Sequence, residues 1–279
     1  MLTKYFSATK PHTIIFKLLI VTFWLLCTPA WVGAARQLCL SCHVPHYSER
    51  GGCVSCHRGN PGSNRKNVAH QRLIAGRFAH FTLGETVAVR QGNRLLEQFG
   101  CRRCHVSRGR GNRLATSLDT LMNAKSPEEI ASAIVNPALG MPDFRLANSQ
   151  VVDLVNIILS GAQHVTVQQR EGPLLVHFES GHKPTENIFI RKCGSCHRAL
   201  TERQGLIGAG AIGPDLSGLL SEYYPRSFRT AEAWTPEHLR RWLENPRAVR
   251  PQARMLPVLL SATEFRELLD VLAVSSHDK

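Results

Sequence analysis

Eight of the nine cysteines fall in four pairs: Cys39/Cys42, Cys53/Cys56, Cys101/Cys104 and Cys193/Cys196. Each pair is followed at once by a histidine, namely His43, His57, His105 and His197. Two thiols at this spacing can add across the two vinyl groups of a porphyrin, and the next residue then carries its imidazole under the iron. C-x-x-C-H is therefore the attachment signature of c-type haem. Three other chemistries use C-x-x-C. Disulfides do not demand a histidine after each pair. A zinc site would use two pairs and leave the adjacent histidines unexplained. A thioredoxin-like dithiol would occur once. Four complete motifs predict four covalently bound haem c groups, with His43, His57, His105 and His197 as proximal ligands.

Each iron has a second axial position, which Met or His closes for electron transfer and which, left open, admits a substrate. The methionines are Met1, Met122, Met141 and Met255. Two of them share a setting. Pro127-Glu128 and Pro236-Glu237 each open a segment that reaches an Asn-Pro step, Asn136-Pro137 or Asn245-Pro246, and then a methionine with a proline within two residues after it, Met141 before Pro142 or Met255 before Pro257. Proline stiffens the loop that presents the sulfur. Core filling is the alternative use of a methionine, and it suits Met122. The matched placement of Met141 and Met255 predicts that both are distal ligands.

The elements that must position these residues are helical. A helix over about Thr86–Phe99 leads into the third motif. A second starts at Ser126, with Pro127 in its first turn and Glu129 in capping-box position, and ends at Pro137. A third, "NSQVVDLVNIILSG", places Val151, Val152, Leu154, Val155 and Ile158 at helical spacing. The second copy repeats the order with Ile188–Lys192, a helix from Thr235, and "SATEFRELLDVLAV" with Phe265, Leu268, Leu269 and Leu272 on its apolar stripe.

On these motifs, residues 84–162 and 183–279 each resemble a class I cytochrome c domain. The second copy carries "GPDLSGLL", Gly213–Leu220, and the resemblance implies that the Pro214 carbonyl accepts from the proximal imidazole. The first copy has "NRLATSLDTL" there, with no proline, so the resemblance supplies no acceptor for His105. An insert in the second copy, "SEYYPRSFRTAEAW", is either a partner surface or a long loop. The fold expected is mainly α: two small cytochrome c-like helical domains and a loop-rich N-terminal segment.

That segment, residues 35–83, holds two motifs and no methionine. Distal ligands from within it must then be histidines, and the candidates are His46, His70 and His80. The segment resembles compact bis-histidine multihaem cytochromes, in which close-packed haems replace most of the apolar core. Residues 163–182 form a linker, where "LLVHF" alternates as a short hairpin strand would. Its His164, His177 and His182 read as structural or exposed.

Residues 1–34 read as an export signal or a retained membrane anchor: Lys4 and Lys10, the apolar run Leu18–Ala34, and a small-residue site at Val32-Gly33-Ala34. Leu26 before Cys27 argues against lipidation. The formal net charge is +13, and of 34 Lys and Arg only Lys4, Lys10 and Lys17 precede residue 35. The exported chain thus stays basic, which suits acidic partners or an anionic membrane. No arginine run interleaved with aromatics points to nucleic acid. Together these features predict a periplasmic or extracytoplasmic electron carrier rather than a catalyst. Axial Met raises the potential relative to axial His, so electrons would run from the N-terminal pair to the C-terminal pair. A membrane quinol-linked donor and an acidic soluble acceptor are the partners expected. Two rivals stay open at this level. One is a haem enzyme, peroxidase-like or acting on sulfur or nitrogen compounds, with an open N-terminal iron. The other is a structural subunit of a larger respiratory complex.

Overall fold

The computed structural model describes residues 38–138, 140–163, 186–226 and 232–275. The export segment and the "LLVHF" hairpin lie outside the described residues, as do His164, His177 and His182. The described chain is mainly helical. Among the described residues no helix is long and apolar enough to cross a membrane.

Two apolar clusters organise the chain. The first is built on three helices: α3 (Val87–Gln98), α5 (Pro127–Val135) and α6 (Asn148–Ala162), with the one-turn α4 (Leu121–Ala124) before α5. Helices α3 and α5 begin at side chains suited to cap them. Thr86 caps α3 by accepting from the Val89 amide. Ser126 and Glu129 form a reciprocal capping box at α5, with Pro127 in the first turn, where its missing N–H costs nothing. Val89 and Leu96 of α3, Ile130 and Ile134 of α5, and Leu154, Val155 and Ile157 of α6 are buried together. Helices α3 and α6 touch at Gly92, where a Cβ would lie 2.1 Å from the Asp153 carbonyl oxygen.

Residues 74–83, placed by the sequence in the dihaem segment, pack here as well: Ile74, Phe78, Ala79 and Phe81 belong to this cluster. Asn156 ties them down. It is fully buried, accepts from the Phe81 amide at 3.0 Å and donates to the Arg77 carbonyl at 2.9 Å. A buried amide so satisfied fixes one register of chain against helix.

The second cluster repeats the plan on shorter elements. Helix α7 (Ile188–Lys192) leads into the fourth motif, and a two-stranded antiparallel hairpin follows, β1 (Ala199–Thr201) paired with β2 (Gly205–Ile207). Then come α8 (Pro236–Glu244), α9 (Pro246–Val249) and α10 (Ala262–Leu272). Ser261 and Glu264 form a capping box at α10, and Phe265, Leu268 and Leu272 point from it into a core with Ile188, Phe189, Leu239 and Leu243. Among the described residues the first copy has only an isolated antiparallel bridge after its motif, Ser107 to Arg110. The described part of the insert is packed: Tyr224 is buried and Trp234 stands edge-on to Trp242.

Residues 38–73 are built differently. They hold α1 (Cys53–His57), α2 (Lys66–Ala69) and 3-10 turns, and none of their side chains is buried. The segment closes on itself through backbone bonds instead: Leu38 to the Pro61 carbonyl, Asn60 to Ala69, and Ile74 to His57. Gly59 makes one of these approaches possible, since it has a φ of +82° and a Cβ there would meet the Ala69 carbonyl at 2.7 Å.

Candidate haem-binding sites

The four motifs share one local geometry. Cysteines three residues apart lie on one side of a single turn, and the histidine amide bonds back to the first cysteine's carbonyl. This bond is 3.0 Å in His43, 3.1 Å in His105 and 2.9 Å in His197. His57 closes the one-turn helix α1. Both thiols and the imidazole of each motif therefore issue from the same turn, which is what thioether attachment beside axial ligation requires. Burial pushes the Cys101, Cys104 and Cys193 thiols up to about 11, so they stand as thiols rather than thiolates at neutral pH.

Three of the four motif histidines are oriented by a carbonyl. His197 Nδ1 donates to the Pro214 carbonyl at 2.8 Å, the acceptor that the cytochrome c resemblance implies. His105 Nδ1 donates to the Thr116 carbonyl at 2.7 Å. The first copy thus orients its imidazole without a proline, because any residue supplies a backbone carbonyl. His57 Nδ1 donates to the Ile74 carbonyl at 2.9 Å. A bond at Nδ1 fixes the tautomer and leaves Nε2 free to ligate. Burial holds the His105 imidazole below its ordinary pKa, against the Thr116 bond that acts to raise it, and favours the neutral form that a metal ligand needs.

The distal candidates in the N-terminal segment are sorted by position. His46 Nε2 lies 3.4 Å from His57 Nε2, with the two rings nearly perpendicular at 83°. His70, at the C-terminal cap of α2, brings its ring within 6.0 Å of the His43 ring, centroid to centroid. So the two proximal histidines of the segment each face one candidate. His80 stands apart: it is exposed at the head of the 3-10 turn His80–Leu83 and lies near Asp153 on α6. The 3-10 turn Gly76–Phe78 precedes it, and its neighbours Phe78, Ala79 and Phe81 pack into the first helical cluster.

Met255 and His197 line one cleft of about 1530 Å³, together with Cys193, Cys196, Trp242 and Leu268. Trp242 Nε1 donates to Met255 Sδ at 3.1 Å and so sets the direction of the thioether. Gly213 faces the proximal ring closely, since a Cβ there would stand 2.2 Å from His197 Cε1. The cleft is apolar, deep and flanked by two cysteines, a histidine and a methionine, and its residues fit a covalently held porphyrin. Met141 is half-buried in the loop after α5, with its amide bonded to the Ala138 carbonyl. Its neighbours Pro142 and Phe144 line the cleft of the other unit. Met122 packs against the first cluster.

Among the described residues no group of three or more His, Cys, Asp or Glu side chains could hold a bare metal ion. A zinc reading has no ligand set there, whereas an axially ligated haem asks for only two side chains. Sequence reasoning missed Trp242, Gly213, the Thr116 and Ile74 carbonyls, and the role of Arg103. No protein-family profile, curated protein or solved structure matches this chain.

Proposed function

We propose that the chain is an exported tetrahaem c-type cytochrome that carries electrons between respiratory partners. It would act outside the cytoplasm, with the two class I cytochrome c-like units following a bis-histidine dihaem segment. The observation that carries this reading is the His46–His57 pair: one imidazole is oriented through Nδ1 by Ile74, and its Nε2 converges at 3.4 Å on the Nε2 of a second histidine. Residues 38–73 add support, since a stretch this long with no buried side chain needs another group to serve as its core.

When bound, the haems supply one-electron chemistry at potentials set by their axial ligands and surroundings. The protein's residues do the rest. Cys39, Cys42, Cys53, Cys56, Cys101, Cys104, Cys193 and Cys196 attach. His43, His57, His105 and His197 would ligate next to the attachment cysteines, and His46, His70, Met141 and Met255 would supply the second ligands. The chain would take electrons at its N-terminal end from a membrane quinol-linked donor and pass them on at its C-terminal end. There, Ile212 and Leu256 stand exposed at the mouth of the cleft, with Arg250 and Arg254 beside them on its lining. An apolar rim edged with arginine suits an acidic soluble acceptor.

Haem counting tests the reading. After maturation by haem-attachment machinery, the denatured chain should retain four haems by mass and by alkaline pyridine absorbance. Replacing both cysteines of one motif by alanine should remove one haem. A chain that releases its haem on denaturation, or carries none, would overturn the assignment.

A further inference from the structure

The third motif, Cys101-Arg102-Arg103-Cys104, carries two arginines that face opposite ways. Arg102 turns inward, buried, paired with Glu97 and donating through Nε to the Ser107 carbonyl. Arg103 reaches out of its own unit. Its Nη1 donates to the Asp215 carbonyl at 3.2 Å, and its guanidinium carbon lies 5.3 Å from the centre of the Tyr224 ring. Tyr224 Oη donates to the same Asp215 carbonyl at 3.1 Å. The residue before Asp215 is Pro214, whose carbonyl orients His197. Arg103 of one motif thus grips the loop that sets the proximal histidine of the next.

The grip is held from both sides. Asn112 Nδ2 donates to the Arg103 carbonyl and to Ser221 Oγ, each at 2.8 Å. Gly218 has a φ of +68°, and a Cβ there would stand 2.7 Å from the Arg103 carbonyl oxygen, so only glycine lets the two backbones meet. Arg103 also lines the cleft that holds His197 and Met255. Its Nε is buried beside Gly100 and has no hydrogen-bond partner among the described residues, so what the side chain offers the cleft is its charge and the outer edge of its guanidinium. A guanidinium keeps its charge at any physiological pH.

We propose that Arg103 binds a carboxylate of the haem held in the C-terminal cleft, so that a residue of the Cys101/Cys104 motif joins two haem sites into one electrostatic unit. The proposal rests on the tetrahaem reading. A haem periphery offers propionate carboxylates, and an arginine fork is the side chain best shaped to take one. The positive charge offsets the carboxylate beside an iron that gains an electron. Arg103 therefore favours the reduced state and raises the potential of the C-terminal haem.

The test is a potentiometric titration of the full haem-loaded chain, wild type against R103Q. Haem is counted first: fewer than four on the wild type overturns the tetrahaem reading itself, before any potential is compared. The C-terminal wave is assigned as the one that M255H moves to low potential. R103Q should weaken reduction of that haem on the order of tenfold, ~59 mV for one electron. S221A, which removes the Asn112 contact between the units but no charge, should leave it in place. R103M reads the same charge if R103Q does not accumulate. A C-terminal midpoint unchanged in the arginine variants overturns the proposal. So does an equal fall in S221A, which would make the effect one of loosened packing.

Discussion

At the residue scale the four motifs are alike and their surroundings are not. The turn that brings two thiols and an imidazole together is written within five residues, and in three of the four a backbone carbonyl then orients the ring. What differs is the group opposite: histidine for His57 and His43, methionine in the C-terminal cleft. Ligand identity is the main lever on potential that a side chain has. If His46 closes the iron above His57, then H46A opens it. We expect the reduced wild-type protein to bind no carbon monoxide without denaturant, and H46A to bind it at one of four haems, read by difference absorbance. Stoichiometric binding by the wild type would instead favour a haem enzyme with an open N-terminal site.

At the element scale the first helical unit depends on one close crossing. Gly92 of α3 lets the helix lie against Asp153 and Ile157 of α6. An exposed helical glycine gains up to about 1 kcal/mol when changed to alanine. Here the added methyl meets a carbonyl oxygen, and overpacking of this kind costs about 1–3 kcal/mol. G92A should therefore lower the melting temperature of the haem-loaded protein, and a rise would show that the helices are not packed this tightly. The start points of these helices were legible in the sequence. The box at Ser126/Glu129 and the Pro127 turn are contained within four residues, and the structure has them where the pattern put them; the box at Ser261/Glu264 is as local but was not read from the sequence. The acceptors of His105 and His57 were not legible. Thr116 and Ile74 contribute backbone oxygens, and a carbonyl leaves no mark on residue type. The packing of residues 74–83 into the first unit was hidden for a related reason: Asn156, which secures it, reads as one more polar residue on an apolar helix.

At the scale of the whole molecule, the repeated methionine unit and the four motifs divided the chain into three regions. The structure has two apolar clusters, one drawn from residues between 74 and 159 and one from residues between 188 and 272. The sequence did not disclose how the two helical units meet. Arg103 and Asp215 are 112 residues apart, and nothing local to either marks the other. His80 follows the 3-10 turn Gly76–Phe78 and lies near Asp153 of the first unit, a placement that its spacing from His70 does not encode. The account's central claim is an ordered gradient along the chain, from two bis-histidine sites to two histidine–methionine sites. A potentiometric titration of the purified tetrahaem protein, followed by optical absorbance, tests it most directly. Two well-separated waves of equal amplitude are expected, with M255H moving one quarter of the total amplitude from the high wave to the low. Four indistinguishable midpoints, or one low wave, would contradict it.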